Sequence, residues 1–272
     1  MGMPRHSQGR RRGGSGAHRK NASEIADGRM RQMTWSLVAR DASGAYGVAI
    51  ASRFFAVGAL CPGIRAGRGA LSTQALMNPL YVRDGLAALG EGLAAPQVLE
   101  RLLAKDAGRD VRQVHVIDAA GRTAAHTGKG CIDWCGHRAG AGYSVAGNML
   151  AGPGVIEATA KSYEAHAHLR FEDRLLVAMQ AGEDAGGDKR GKQAAALRIV
   201  TTEDYPFLDL RVDDHEEPLQ ELRRLHDKSL ERFQPFLACL PSHARPAGIT
   251  DRALIEEHIE RFQAMNKGSR VR

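Results

Sequence analysis

The chain has 272 residues, of which 43% are hydrophobic and 25% are charged, values that exclude a collagen-like, a coiled-coil or a wholly disordered protein. No run of 18 apolar residues predicts a membrane span, and four cysteines are too few for a disulfide scaffold, which favours the cytoplasm. The net charge of +7 lies almost entirely in residues 1–33, which carry +6, so the folded body offers no basic surface typical of nucleic-acid binding.

Residues 1–33 form a leader rich in Gly, Arg, Ser and His, a composition that predicts disorder. No apolar stretch follows Arg10–Arg12, so the leader lacks the pattern of a secretory signal. The leader is therefore either a solvated tail or an arm that binds nucleic acid. Because the sequence changes abruptly at Met33, we expect translation to begin there, or at Met30 with later trimming, so that the leader is absent from the mature protein.

Alternating apolar residues predict a hairpin of residues 34–40 and 45–52 around an Asp-containing turn. Further strands are predicted at 67–74, 113–118, 122–127, 193–201 and 207–212. Helices are predicted at 80–89, 95–107, 153–167, 171–182, 218–233 and 251–265. Glycine-rich loops are predicted at 128–153 and 182–192, with a linker at 241–246. Because hairpins dominate, we expect an α+β protein with antiparallel sheets and outer helices, one domain over 34–240 and a C-terminal linker and helix over 241–272.

Thr34 begins the first strand and follows a methionine. Removal of an initiator methionine is easiest before a small residue, and it would leave the Thr34 hydroxyl beside a free α-amine. Such an amine, with a pKa near 7.7–8.0, is a usable base for that hydroxyl. The pattern therefore indicates a candidate N-terminal nucleophile, although a threonine at a strand start also has an ordinary structural reading.

Five segments together resemble the family known as domain of unknown function 1028. They are TWSLVARD at 34–41, GVAIASRFFAVG at 47–58, ALMNP at 75–79, GNMLAGP at 147–153 and AGGDKRGKQ at 185–193. The resemblance covers about residues 33–225. It implies an N-terminal-nucleophile (Ntn) hydrolase-like fold, a four-layer αββα sandwich of two antiparallel sheets, with Thr34 as nucleophile. The long leader departs from the pattern of the family, whose members begin at or near this threonine. The lack of a lysine between Thr34 and Lys105 departs from the proteasome, and Arg53 is the nearest candidate to supply that positive charge.

Several polar residues are candidates to complete such a site. Asn148 is a candidate oxyanion donor or a simple turn asparagine. A four-residue turn would bring Thr34 opposite about residue 51, so Ser52 is a candidate to hold the α-amine. Arg53 is a candidate to bind a substrate carboxylate or to form a surface ion pair. Gln74 and Asn78 are candidates to line the same mouth.

Two charged or metal-ligating runs have alternative readings. Asp188 and Arg190 lie in a charged, glycine-flanked run that is either a solvated loop or a substrate-binding loop. Cys131, Cys135 and His137, with His126 nearby in sequence, do not have the spacing of a zinc site, and we expect no metal there. Asp213, Asp214 and His215 could also bind a metal, but they are better explained as the N-terminus of the following helix, where acidic residues are favoured.

The sequence therefore predicts a hydrolase that cleaves a small amide or ureido C–N bond with Thr34. The alternative is a non-catalytic protein of the same fold that binds a small ligand or a protein partner. We expect no cofactor, no nucleic acid or membrane as a partner of the folded body, and a homodimer, because the last two predicted helices carry apolar stripes that need a covering surface.

Overall fold

The computed structural model describes residues 34–187 and 192–269. The leader, residues 188–191 and residues 270–272 lie outside these ranges. The strands are β1 Thr34–Arg40, β2 Tyr46–Ser52, β3 Pro62–Arg65, β4 Gly69–Ala75, β5 Arg112–Asp118, β6 Thr123–Thr127, β7 Trp134–Gly140, β8 Tyr143–Leu150, β9 Ala194–Val200 and β10 Leu208–Val212. The α-helices are α1 Leu80–Gly90, α2 Ala95–Ala104, α3 Gly154–Ala165, α4 Phe171–Asp184, α5 Pro218–Ser229, α6 Phe233–Leu237 and α7 Arg252–Ser269.

The described strands form two antiparallel sheets, as the abundance of hairpins predicts. The first has six strands in the order β10-β9-β2-β1-β8-β7, and the second has four in the order β3-β4-β5-β6. The inner faces pack together through contacts of β1 with β4 and of β5 with β8. Helices α3 and α4 contact the six-stranded sheet, whereas α1 and α2 contact the four-stranded sheet. Strand β1 is therefore central and is covered on both sides.

The period-two pattern of β1 separates two environments. Trp35 and Leu37 belong to the apolar core that β1 shares with α3 and α4. Val38 belongs to the core between the two sheets, and the Ser36 hydroxyl reaches a side chain of the four-stranded sheet. Successive residues of a strand point to opposite faces, so Thr34, Ser36 and Val38 face the space between the sheets. The sequence of β1 thus directs its hydroxyl groups inward.

The loop predicted at residues 128–153 is wrong for most of its length, because β7 and β8 form a hairpin there. Gly147 allows close packing of this hairpin against α3 rather than loop flexibility. A Cβ atom on Gly147 would lie 2.5 Å from Leu150 Cδ1 and 3.1 Å from Ile156 Cδ1, closer than packed carbon atoms approach. Two smaller corrections concern β3, which was not predicted, and the helix predicted at 218–233, which divides into α5 and α6.

The described residues contain no helix that is both long and apolar enough to cross a bilayer. All four cysteines are unpaired; Cys61 and Cys239 are buried, and the other two are partly buried.

The apolar residues Leu219 and Leu222 of α5 pack into the core beneath the six-stranded sheet. The stripe of α5 is therefore covered by the chain itself.

Candidate functional site

One end of the space between the sheets is polar and the other is apolar. Val38, Val48 and Ile117 are among the buried apolar residues of one end. Towards the other end the buried side chains carry hydroxyl, amide or imidazole groups: Thr34, Ser36, Ser52, Gln74, Gln113, His115 and Asn148. The buried Ser144, which pairs with Val38, lies at the boundary between the two parts. Burial of so many polar groups is costly unless they bond to one another. This polar end coincides with the start of β1, and we call it the Thr34 site.

Strand pairing places Thr34 between two of its predicted partners. Thr34 pairs with Ser52 of β2 on one side and with Asn148 of β8 on the other, so Ser52 rather than residue 51 lies opposite it. The Oγ atoms of Thr34 and Ser52 are 2.9 Å apart, and the backbone N–H of Phe54 donates to Ser52 Oγ at 3.0 Å. Asn148 Nδ2 lies 3.5 Å from the backbone oxygen of Thr34. The hydroxyl of Thr34 is therefore held within a hydrogen-bonded group.

Gln113 is the centre of this network, and the sequence did not predict it as a site residue. Its Nε2 group donates to the backbone oxygens of Gly136 at 3.1 Å and of Gly147 at 2.9 Å. Its Oε1 atom accepts from Gln74 Nε2 at 2.8 Å and from Asn148 Nδ2 at 3.1 Å. A glutamine in an alternating strand carries no signal that distinguishes it from a surface residue, so only the strand order reveals its position.

The backbone fixes the orientation of these side-chain amides. Because carbonyl oxygens only accept, the Gln113 NH₂ group must face Gly136 and Gly147. Gln113 Oε1 then faces Asn148, which must present its own NH₂ group. Asn148 Oδ1 is left buried without a hydrogen-bond partner among the described residues. This arrangement favours Asn148 as an acceptor for an N–H group over the oxyanion-donor role expected from the sequence.

Ser36 and His115 extend the network away from Thr34. Ser36 Oγ donates to Gln74 Oε1 at 2.6 Å and lies 2.8 Å from His115 Nε2. The Ser36 proton is committed to Gln74, so His115 Nε2 carries the proton and donates. His115 Nδ1 then accepts from Ser144 Oγ at 3.1 Å. Burial lowers the pKa of His115 to about 3, and His137 acts in the same direction, so this imidazole is neutral at physiological pH.

The neutral His115 makes stability depend on pH. The unfolded chain binds a proton near pH 6.5, whereas the folded chain resists protonation down to about pH 3. The free energy of unfolding therefore falls as the pH drops below about 6.5, by about 2 kcal/mol between pH 7 and pH 5. Urea denaturation at the two pH values measures this loss. His115→Gln, which cannot titrate, should show a clearly smaller pH dependence; an equal one would contradict the assignment.

The remaining predicted site residues have different surroundings. Arg53 follows Ser52 directly, is exposed and lines a cavity of about 360 Å³ with Gln193 and His215. Asn78 donates to Asp106 Oδ2 at 3.2 Å and accepts from the N–H of Leu80 at 3.1 Å. The side chain of Asn78 is thus used in capping α1, and none of its hydrogen bonds reaches the Thr34 network.

The remaining sequence candidates are the charged run with Asp188 and Arg190, and the group of Cys131, Cys135 and His137. Asp188 and Arg190 lie outside the described residues. The thiol of Cys135 faces the backbone oxygen of Cys131 at 3.8 Å. His137 Nδ1 lies 3.0 Å from Thr127 Oγ1, which accepts from Gln113 Nε2 at 2.8 Å, so His137 borders the Thr34 network. Among the described residues, a group of potential metal ligands lies close together elsewhere, at Glu172, Asp173 and His226.

Comparison with known proteins establishes the family. Residues 34–222 match the family of unknown function DUF1028, and the chain belongs to that family. It is similar to protein SPO2555 from Silicibacter pomeroyi, whose crystal structure is described as family-model DUF1028. That match has a TM-score of 0.75 and 29% identity, and covers 81% of this chain and 96% of that chain.

A more distant match is Anbu (ancestral beta-subunit) from Yersinia bercovieri, with a TM-score of 0.33 and 13% identity. It covers 76% of this chain and 98% of that chain. None of the curated proteins matches the chain.

Proposed function

We propose that this protein is an Ntn-type hydrolase with a four-layer αββα sandwich, which cleaves an amide or ureido C–N bond of a small molecule with Thr34 as nucleophile. The observation that carries the proposal is the position of Thr34 at the start of the central strand, in a buried polar group with Ser52 and Asn148. A nucleophile fixed by rigid strands on both sides is well positioned for repeated attack. The family match also begins at this residue.

The proposed reaction begins once the α-amine of Thr34 is free. Thr34 Oγ1 attacks the substrate carbonyl carbon while its proton passes to the α-amine, directly or through the Ser52 hydroxyl 2.9 Å away. The C–N bond then breaks, and the departing nitrogen takes that proton. Water hydrolyses the resulting ester and restores the hydroxyl. Asn148 Oδ1, as a buried acceptor, holds an N–H group of the substrate or of the α-amine, and Arg53 binds a carboxylate on the substrate.

The mature N-terminus tests the proposal most directly. Intact-mass measurement of the protein purified from its native host should give a chain that begins at Thr34. Retention of residues 1–33 would block the amine and would instead support the non-catalytic alternative, a protein of the same fold that binds a ligand or a partner. If the leader is removed at another position, N-terminal sequencing should identify the first residue of the mature chain.

We further propose a cytoplasmic homodimer. Its four unpaired cysteines suit a reducing compartment. Helix α7 contacts α6, yet Phe233 and Phe236 on α6 and Leu254 and Met265 on α7 remain exposed. A second copy of the chain is the proposed cover for these side chains, because most soluble oligomers are twofold homodimers.

Sedimentation tests the dimer at micromolar concentration, where we expect twice the monomer mass. Leu254→Glu combined with Met265→Glu should give a folded monomer, because charge on an apolar interface opposes association. Asp251→Asn, which does not change the apolar residues of α7, is the control and should remain dimeric. A folded, monodisperse wild-type monomer would contradict the proposal.

A further inference from the structure

A second cluster of ionisable side chains lies where the first turn of α4 meets α5. Glu172 and Asp173 belong to that first turn, and His226 lies on α5. One ligand atom from each residue lies within 4.8 Å of the other two. The neighbouring Phe171 packs beside Gly47, which is near the end of the sheet opposite Thr34. The cluster is therefore separate from the Thr34 site.

His226 is the unusual member of this cluster. It is fully buried, and neither ring nitrogen has a hydrogen-bond partner among the described residues. Its Nδ1 atom lies 3.8 Å from Asp173 Oδ1 and 3.8 Å from Asp227 Oδ1. These separations are too long for hydrogen bonds. They are only about 0.5 Å longer than the roughly 3.3 Å between two ligands of a tetrahedral zinc ion.

Two arginines form ion pairs with the carboxylates of this cluster and so reduce its net negative charge. Arg170 contacts Asp173 Oδ2 at 2.8 Å and Glu172 Oε1 at 3.5 Å, and Arg223 contacts Asp173 Oδ1 at 2.8 Å. A carboxylate oxygen has two lone pairs, so Asp173 Oδ1 keeps one on the atom nearest His226. Two carboxylates and two guanidinium groups therefore lie close together. The guanidinium charges lower the affinity for a cation below that of a site without arginines.

We propose that Glu172, Asp173 and His226 form a binding site for a zinc ion, with a water molecule as the fourth ligand. An imidazole nitrogen with carboxylate oxygens suits zinc better than magnesium or calcium, which prefer oxygen ligands alone. Burial lowers the pKa of His226, which keeps the imidazole neutral, as metal binding requires. The ion ties the start of α4 to α5.

Zinc titration of the metal-free full-length protein tests this site. Calorimetry and elemental analysis after dialysis should give one zinc ion per chain with a micromolar or lower Kd, and the thermal unfolding midpoint should rise with zinc concentration. His226→Leu removes the nitrogen ligand and should weaken binding at least about tenfold. Glu172→Gln keeps the shape of the side chain, removes a carboxylate ligand and should also weaken zinc binding. This variant tests the site if His226→Leu does not fold.

The control is the double variant Cys131→Ser and Cys135→Ser, which removes the other candidate zinc ligands and should leave the affinity unchanged. Zinc binding that is lost in the cysteine variant and kept in Glu172→Gln would overturn the proposal. Absence of stoichiometric binding to the wild-type protein would overturn it as well. None of these outcomes depends on hydrolysis at Thr34.

Discussion

Thr34→Ala should abolish hydrolysis of the amide or ureido substrate, with a loss of at least about 1,000-fold in kcat, because the covalent route requires the hydroxyl. The comparison is made in mature chains that begin at residue 34, with a panel of small amides and ureido compounds with and without a carboxylate. The folded state should change little. The alanine removes one hydrogen bond, to Ser52 Oγ, which corresponds to about 1 kcal/mol.

Two matched variants make this result specific. Thr34→Ser retains a hydroxyl beside the α-amine and should keep part of the activity. Thr250→Ala changes an exposed threonine in the segment before α7 and should change neither turnover nor stability. Turnover in Thr34→Ala equal to that of the wild-type chain would refute the mechanism. Activity that persists in a chain with the leader attached would show that a free α-amine is not required.

The sequence predicts the elements of this fold well where local patterns decide them. The hairpin of β1 and β2 has a period-two pattern and an Asp-x-x-Gly turn, in which Ser43 and the Ala45 N–H both donate to Asp41 Oδ1. Its register is therefore determined by short-range chemistry. The predicted pairing of Thr34 differs from the observed one by a single residue for this reason.

The β7–β8 hairpin and the role of Gln113 are decided by long-range packing instead. The sequence predicts a flexible loop around Gly136 and Gly147. In the structure their backbone oxygens accept hydrogen bonds from Gln113. A strand with small residues is stable here because the four-stranded sheet covers its inner face. The local sequence around Gln113 does not reveal these hydrogen bonds, because Gly136 and Gly147 lie 23 and 34 positions away from it along the chain.

Gln113→Leu should lower the free energy of unfolding by about 3–5 kcal/mol, the largest stability effect that we expect from a single change at the site. The leucine removes the acceptor for the buried side chains of Gln74 and Asn148. It also removes the donor for the backbone oxygens of Gly136 and Gly147 and for Thr127 Oγ1. Each buried polar group without a partner costs about 1–3 kcal/mol, and bonds within a network depend on one another. Urea denaturation at pH 7 measures the loss.

A second substitution separates packing from hydrogen bonding. Gln113→Glu keeps the shape and the acceptor oxygen but cannot donate to Gly136 and Gly147 when ionised, so it should also destabilise the fold, and the loss should diminish at low pH as the carboxyl protonates. Gln220→Leu, on an exposed position of α5, should change stability by less than about 0.5 kcal/mol. If Gln113→Leu proves as mild as Gln220→Leu, the orientation of Asn148 does not depend on Gln113, and Asn148 is then free to present its NH₂ group to an oxyanion.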